Sequence, residues 1–216
     1  GERVLVWDLA VRAFHWLLVA GIVASWLTGG SGNRVHEIVG YGVAGLVAFR
    51  LIWGFVGSRH ARFADFVRRP GETVAYLGAH VRNRAPRHLG HNPAGGYMIL
   101  ALLATIAVIC ATGFMQLTSA YYGIAWVEDA HHHAANLLLV LVPLHVLGAV
   151  GASIAHRENL VASMLTGMKP AEIRADDSLE ARRRARRRRR LDLIRVRTRG
   201  RPGFATLLLM ATAGLG

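Results

Sequence analysis

The imidazole side chains are the groups in this chain best suited to chemistry inside an apolar setting, and their spacing is informative. There are 11 histidines in 216 residues. His131 and His145 stand 14 residues apart in one long apolar run. Four helical turns take about 14.4 residues, so both rings lie on one helix face, about 21 Å apart along the axis. His36 and Arg50 repeat the 14-residue interval in an earlier apolar run. Ionisable groups inside such runs are costly and mark functional positions. Imidazole nitrogen is also a common metal ligand. The lone cysteine, Cys110, excludes an intrachain disulfide and a cysteine-based cluster; it reads as a small packing residue.

The elements that must carry these residues follow from hydropathy. The chain is 53% hydrophobic yet has a net charge of +13, which requires apolar and charged residues to be segregated. They are, in the manner of a helical membrane protein. Apolar runs cover about Ala13–Leu27 (Val11–Gly29 at full length), Ile38–Val56, Ala94–Leu117 and Ala134–Ala155. The expected fold is all-α, a transmembrane four-helix bundle. A "PGET" start predicts a short interfacial helix over Gly71–Val81. The segment "TSAYYGIAWVEDA" reads as a loop, with Tyr121, Tyr122 and Trp126 suited to an interfacial belt. That loop lacks Lys and Arg, whereas Gly57–Asn92 is rich in arginine. The positive-inside rule then puts the arginine-rich loop, the N-terminus and the C-terminal tail in the cytoplasm.

Orientation converts position into depth. His15 and His145 fall near the inner side, and His36 and His131 near the outer side. Two histidine pairs stacked across a bilayer suit two b-type haems, each with both axial positions filled by imidazole. Such haems transfer electrons rather than bind oxygen. Small residues should flank the ligands, as Gly40, Gly148, Ala149 and Gly113 do. Arg50 falls at the inner depth, where it either meets haem propionates or snorkels to the cytoplasmic surface. His156, three turns after His145, lies at the inner surface within reach of a propionate or a quinone. His60, His80, His88, His91, His132 and His133 read as loop or helix-end residues.

The segments "VWDLAVRAFHW", "HEIVGYGVAGLVAFRLIWGFVGSRHARFADFV", "GHNPAGGYMILALL" and "HHHAANLLLVLVPLHVLGAVGASIAHRENLVASMLTGMK" resemble the bacterial cytochrome b561 and nickel-iron hydrogenase b-type cytochrome family over about residues 3–170. The resemblance implies a four-helix bundle holding two b haems, ligated by His15, His36, His131 and His145. In the family an acidic residue usually follows the outer ligand, and here that position is His132. His132 and His133 therefore stand beside His131 as alternatives.

The expected function is electron transfer across the bacterial inner membrane between the quinone pool and a redox partner. That partner is a hydrogenase, a dehydrogenase or a soluble cytochrome c. Quinone contacts fall to His156, Arg157 and the Arg59–Arg62 segment inside, or to Tyr121, Tyr122 and Trp126 outside. Two other classes use the same residues. One is a quinone-linked oxidoreductase acting on a small oxidant such as superoxide, and the other is a non-haem, histidine-rich metal carrier. Residues 1–170 form the membrane domain. Residues 171–203, with "RRRARRRRR" at Arg182–Arg190, read as a disordered cytoplasmic tail compatible with anionic lipid and poorly placed for nucleic acid. Residues 204–216 read as a truncated fifth span or an internal signal, in a piece of a longer protein.

Overall fold

A computed structural model of the chain describes residues 2–29, 34–82 and 84–171. The expectations for the arginine-rich tail and the terminal apolar run lie outside the described residues. Four helices are long and apolar enough to cross a membrane: α1 (Leu9–Gly29), α2 (Arg34–Val56), α5 (Pro93–Gln116) and α6 (Ala125–His156). Among the described residues there are three further, short helices: α3 (Phe63–Phe66), α4 (Pro70–Val81) and α7 (Leu160–Thr166). The all-α expectation holds, and α4 forms where "PGET" predicts a short helix.

In the bundle α1 packs on α2, α5 on α6, and α2 on α5. Its core is small: Val43, Val47, Ile106 and Leu138 are buried together, with Leu18, Ile22, Leu102 and Ile109 against them. Only 11% of the apolar window of α1 and of α6 is buried. Helices that are apolar all round but bury so little are built to face lipid. Close approach needs a small residue at one crossing, since a Cβ on Gly21 of α1 would stand 2.8 Å from Val43 Cγ2 of α2.

The segments flanking the bundle in sequence are tied together. Strands β1 (Arg3–Leu5) and β2 (Met168–Pro170) pair. The N–H groups of Val6 and Trp7 donate to the Gly167 carbonyl at 2.8 and 3.1 Å. Trp7 is buried with Val6, Val11 and Ala61, and its Nε1 donates to Ser163 Oγ at 3.3 Å. Asp8 accepts from the Val11 N–H at 2.7 Å, as an N-cap residue does. It also accepts from Trp53 Nε1 at 3.2 Å and from the Ser58 hydroxyl. Burial pushes the Asp8 carboxyl up, but donation from Ser58, Val11, Trp53 and Ala10 outweighs it and holds the group below its ordinary value.

Two expectations change. Helix α6 begins at Ala125, so Trp126, Glu128 and Asp129 are helical rather than in a loop, and His132 and His133 lie within the helix rather than in a loop or at its end. Gly123, at φ +72°, ends the preceding turn, and nothing after it breaks a helix until Pro143. Membrane helices tolerate such a proline, and α6 runs through it. Arg50 does not snorkel. It is 3% exposed, with Nη2 donating to the Ala61 carbonyl at 3.0 Å and Cζ 5.0 Å from the Phe63 ring centre. Phe63 reaches that place because Gly54 of α2 has no Cβ to occupy it.

Candidate functional site

His36 lies in the first turn of α2 and His131 in the second turn of α6. The bundle brings their rings to a centroid separation of 6.3 Å, inclined at 74°. Each ring is held from behind. His36 Nδ1 is 3.0 Å from the Ser25 carbonyl oxygen, and His131 Nδ1 is 3.0 Å from the Ile109 carbonyl oxygen. A carbonyl only accepts, so Nδ1 carries the hydrogen in both rings and Nε2 keeps its lone pair. Imidazole nitrogen binds such metals at about 2 Å, and each ring centre lies roughly 1 Å behind it, so two imidazoles across one iron have centres about 6 Å apart. The observed separation fits. His132 and His133 are exposed, and His133 Nδ1 donates back to Asp129 of its own helix at 2.6 Å. Among the three adjacent histidines, the one facing His36 is His131.

The support behind these rings is built twice. Thr28 of α1 donates to the Ala24 carbonyl at 2.8 Å, and Thr112 of α5 donates to the Val108 carbonyl at 2.7 Å. Each threonine oxygen then accepts from a histidine Nδ1, that of His36 at 3.4 Å and that of His131 at 3.2 Å. In each case the carbonyl bound by the histidine belongs to the residue three before the threonine. A glycine follows each threonine and gives the ring room. A Cβ on Gly29 would be 3.5 Å from His36 Cε1, and one on Gly113 would be 3.2 Å from His131 Cε1. The hairpins α1–α2 and α5–α6 thus carry one device, histidine backed by Thr-Gly. The repeat diverges 14 residues further on, where α2 has Arg50 and α6 has His145. By contrast, a Cβ at Gly40 or Gly148 would meet nothing within 4 Å.

His15 and His145 are both half-buried. His15 Nδ1 is buried without a hydrogen-bond partner, as are Arg50 Nη1 and His91 Nδ1. His91, which the sequence reading set aside, packs between Trp7 and Phe66 at centroid distances of 4.5 and 4.8 Å. Arg50 Cζ is 6.0 Å from the same Phe66 ring. Burial first, and then the positive charge of Arg50, push His91 down to about 3. The local signal was present in "GHNPAGGY". Asn92 accepts from the Gly95 N–H at 2.7 Å with Pro93 at N1, which pins His91 at the start of α5. Behind this cluster Glu158 is held by Arg87 at 2.8 and 3.2 Å, with Lys169 Nζ 4.0 Å away. His156 ends α6, and Arg157 caps it in the left-handed conformation at φ +49°. Tyr121 and Trp126 touch edge to face at the opposite end of α6 from His156.

Residues 6–167 match the family model described as prokaryotic cytochrome b561. The chain is 25% identical to a protein of Rhizobium leguminosarum bv. viciae named "Probable Ni/Fe-hydrogenase B-type cytochrome subunit", over 81% of this chain and 92% of that one. Similarly named proteins of Bradyrhizobium diazoefficiens and Azotobacter vinelandii are 28% and 25% identical, each over 77% of this chain and 88% of theirs. No solved structure matches. With the matched segment spanning all four apolar helices, the chain belongs to the prokaryotic cytochrome b561 family, membrane b-type cytochromes whose cofactor is haem b.

Proposed function

We propose that this protein is a dihaem cytochrome b of the bacterial inner membrane that passes electrons between the quinone pool and a redox partner. The observation that carries the reading is the His36–His131 pair, 6.3 Å between ring centres, with both Nδ1 atoms bound to carbonyls. His36 and His131 hold the outer iron, and His15 and His145 the inner one. Bound haem supplies one-electron chemistry; the protein sets ligation, burial and nearby charge. Thr28 and Thr112 fix the tautomer and orientation of the outer ligands. Buried Arg50, with one guanidinium nitrogen unpaired, and His91 beside it suit the carboxylates of the inner haem. The N-terminus faces the cytoplasm, the side to which the arginine-rich loop assigns it.

Relatives named as nickel-iron hydrogenase subunits support a hydrogenase as the partner rather than a dehydrogenase or cytochrome c. The superoxide-type oxidoreductase reading predicts turnover by the isolated chain. The metal-carrier reading needs a ligand cluster, and among the described residues no group of three His, Cys, Asp or Glu is arranged to hold a metal ion. The deciding experiment is a reduced-minus-oxidised spectrum of the purified protein with haem counted per polypeptide. Two haems per chain are expected. His36→Ala should remove the outer haem and spare the inner, and His145→Ala the reverse. Loss of the same haem from both variants would refute the pairing by depth.

A further inference from the structure

A second group of polar atoms lies apart from the four histidines. Helix α4 carries Thr73, Tyr76 and His80 at spacings that share one face. Thr73 and Tyr76 are only 9% and 6% exposed, and neither hydroxyl has a hydrogen-bond partner. His88, in the segment after α4, brings its ring to 5.6 Å from that of Tyr76, inclined at 63°. Its Nε2 is likewise buried and unpaired. His80 stacks near Tyr76 at 6.1 Å and 18°. A buried polar group left unsatisfied costs about 1–3 kcal/mol, and native proteins contain few of them. Three around one tyrosine ring mark a place where a ligand supplies the missing partner.

The chemistry of that ligand can be read from the donors and from the helix. Both hydroxyls can donate, and His88 Nε2 donates in the tautomer that places its hydrogen there. Burial pushes Tyr76 up, and burial with the Arg68 charge pushes His88 down, so both shifts favour the neutral forms. Among the described residues, the buried unpaired cationic nitrogens are Arg12 Nε and Arg50 Nη1, on the Trp7 and Phe63 side. Of the cations nearer His88, Arg68 donates to the Asp65 carbonyl at 3.3 Å and Lys169 faces Glu158. The site therefore suits a neutral acceptor better than an anion. The other side of α4 is apolar and exposed, with Val74 at 70%, Leu77 at 48% and Val81 at 83%. Arginines precede and follow the helix at 68, 69, 82 and 84. Such a helix lies in the membrane interface, where an acceptor must arrive from the lipid.

We propose that Thr73, Tyr76 and His88 form the head-group site for a quinone, with Tyr76 Oη and His88 Nε2 donating to one carbonyl and Thr73 supporting the ring. The assignment rests on the quinone reading above and gives it a location. It differs from the sequence expectation of His156, Arg157 or Arg59–Arg62, although His156 lies close enough to influence His88.

The test uses the full-length, haem-loaded protein in nanodiscs with a short-chain ubiquinone as probe. Tyr76→Phe and Thr73→Val each remove a hydroxyl at nearly constant volume, so either keeps the experiment interpretable if the other fails to fold. His88→Gln preserves an N–H and should retain more affinity than His88→Ala. Tyr76→Phe should weaken quinone binding about fivefold to tenfold, raise KM for the quinol more than it lowers kcat, and leave haem content and spectrum unchanged. Unchanged quinone affinity in Tyr76→Phe and Thr73→Val overturns the site while leaving the quinone reading intact. Loss of a haem from these variants at constant quinone affinity reassigns the groups to the haem and also overturns it. Absence of quinone binding by the unsubstituted protein removes the quinone reading and this site together.

Discussion

Substituting the glycines behind the two outer histidines separates the needs of the helix from those of the cofactor. Gly113→Ala places a Cβ 3.2 Å from His131 Cε1 and 3.5 Å from its Nδ1. Carbon contacts are comfortable at about 3.5–4.0 Å, so the ring must give by a few tenths of an ångström. It cannot do so freely, because Nδ1 is tied to Ile109 at 3.0 Å and Thr112 at 3.2 Å. Metal sites tolerate roughly 0.5 Å and 10–20° of ligand error. Weakening one such hydrogen bond costs about 1 kcal/mol, a factor of about 5 in affinity for the outer haem. The same substitution stabilises a helix by about 0.5–1 kcal/mol. In the haem-free protein this gain and the loss at the His131 ring nearly cancel, so Gly113→Ala should leave its melting temperature within about a degree or two of wild type while loosening the outer haem severalfold. At the matching position of α1, a Cβ on Gly29 stays 3.5 Å from His36 Cε1, so Gly29→Ala should leave haem affinity nearly unchanged. Gly113→Val adds two methyl groups toward the ring and should abolish outer-haem binding. Haem titration followed by absorbance, alongside thermal melts, reads each effect. A Gly113→Val protein retaining a full complement of outer haem at its usual potential would refute the reasoning.

Arg87→Ala leaves Glu158, whose side chain is 7% exposed, facing only Lys169, and should cost about 3–5 kcal/mol by breaking a buried pair; the melting temperature reports it. Asp8→Ala removes an N-cap and the acceptor for Trp53 and Ser58, for about 2 kcal/mol at pH 7. Because the Asp8 carboxyl is held below its ordinary 3.8, this stability is full above that pH and is lost as pH falls through the folded value. The gap between wild type and variant should close in acid. His91 behaves differently: pushed to about 3 in the fold, it stays neutral while the unfolded chain takes up a proton below about 6.5. Stability should fall as pH drops from 6.5 toward 3, and His91→Gln should flatten that slope in melts between pH 7 and 4.5.

The four spans were legible because lipid imposes long uninterrupted apolar runs, and their interiors contain little else. The approach of His36 to His131 was expected from the depth of each run. What escaped were facts decided by tertiary contact. The fate of Arg50 depends on Ala61 and on Phe63 sliding over Gly54, none of which a hydropathy run reveals. His88 and His91 are loop residues as expected, but their packing was hidden because their partners, Tyr76, Trp7 and Phe66, are distant in sequence or on another element. Helix α6 was drawn too short because Glu128 and Asp129 look like loop residues, although acidic groups near a helix N-terminus are favourable.

The duplicated hairpin has an electrical consequence. Two identical halves would make a wire with matched energy at both ends. The repeat is broken away from the threonines, where α6 has His145 and α2 has Arg50, and where α1 has His15 and α5 has Ile99. Arginine does not give up its proton, and this one is 3% exposed; a haem carboxylate bound to it would offset part of its charge, and the remainder would act in a poorly screened setting. In the two-haem reading, an electron resting at the inner station is stabilised relative to the outer one. The difference between the two halves would then tilt the path between the two stations.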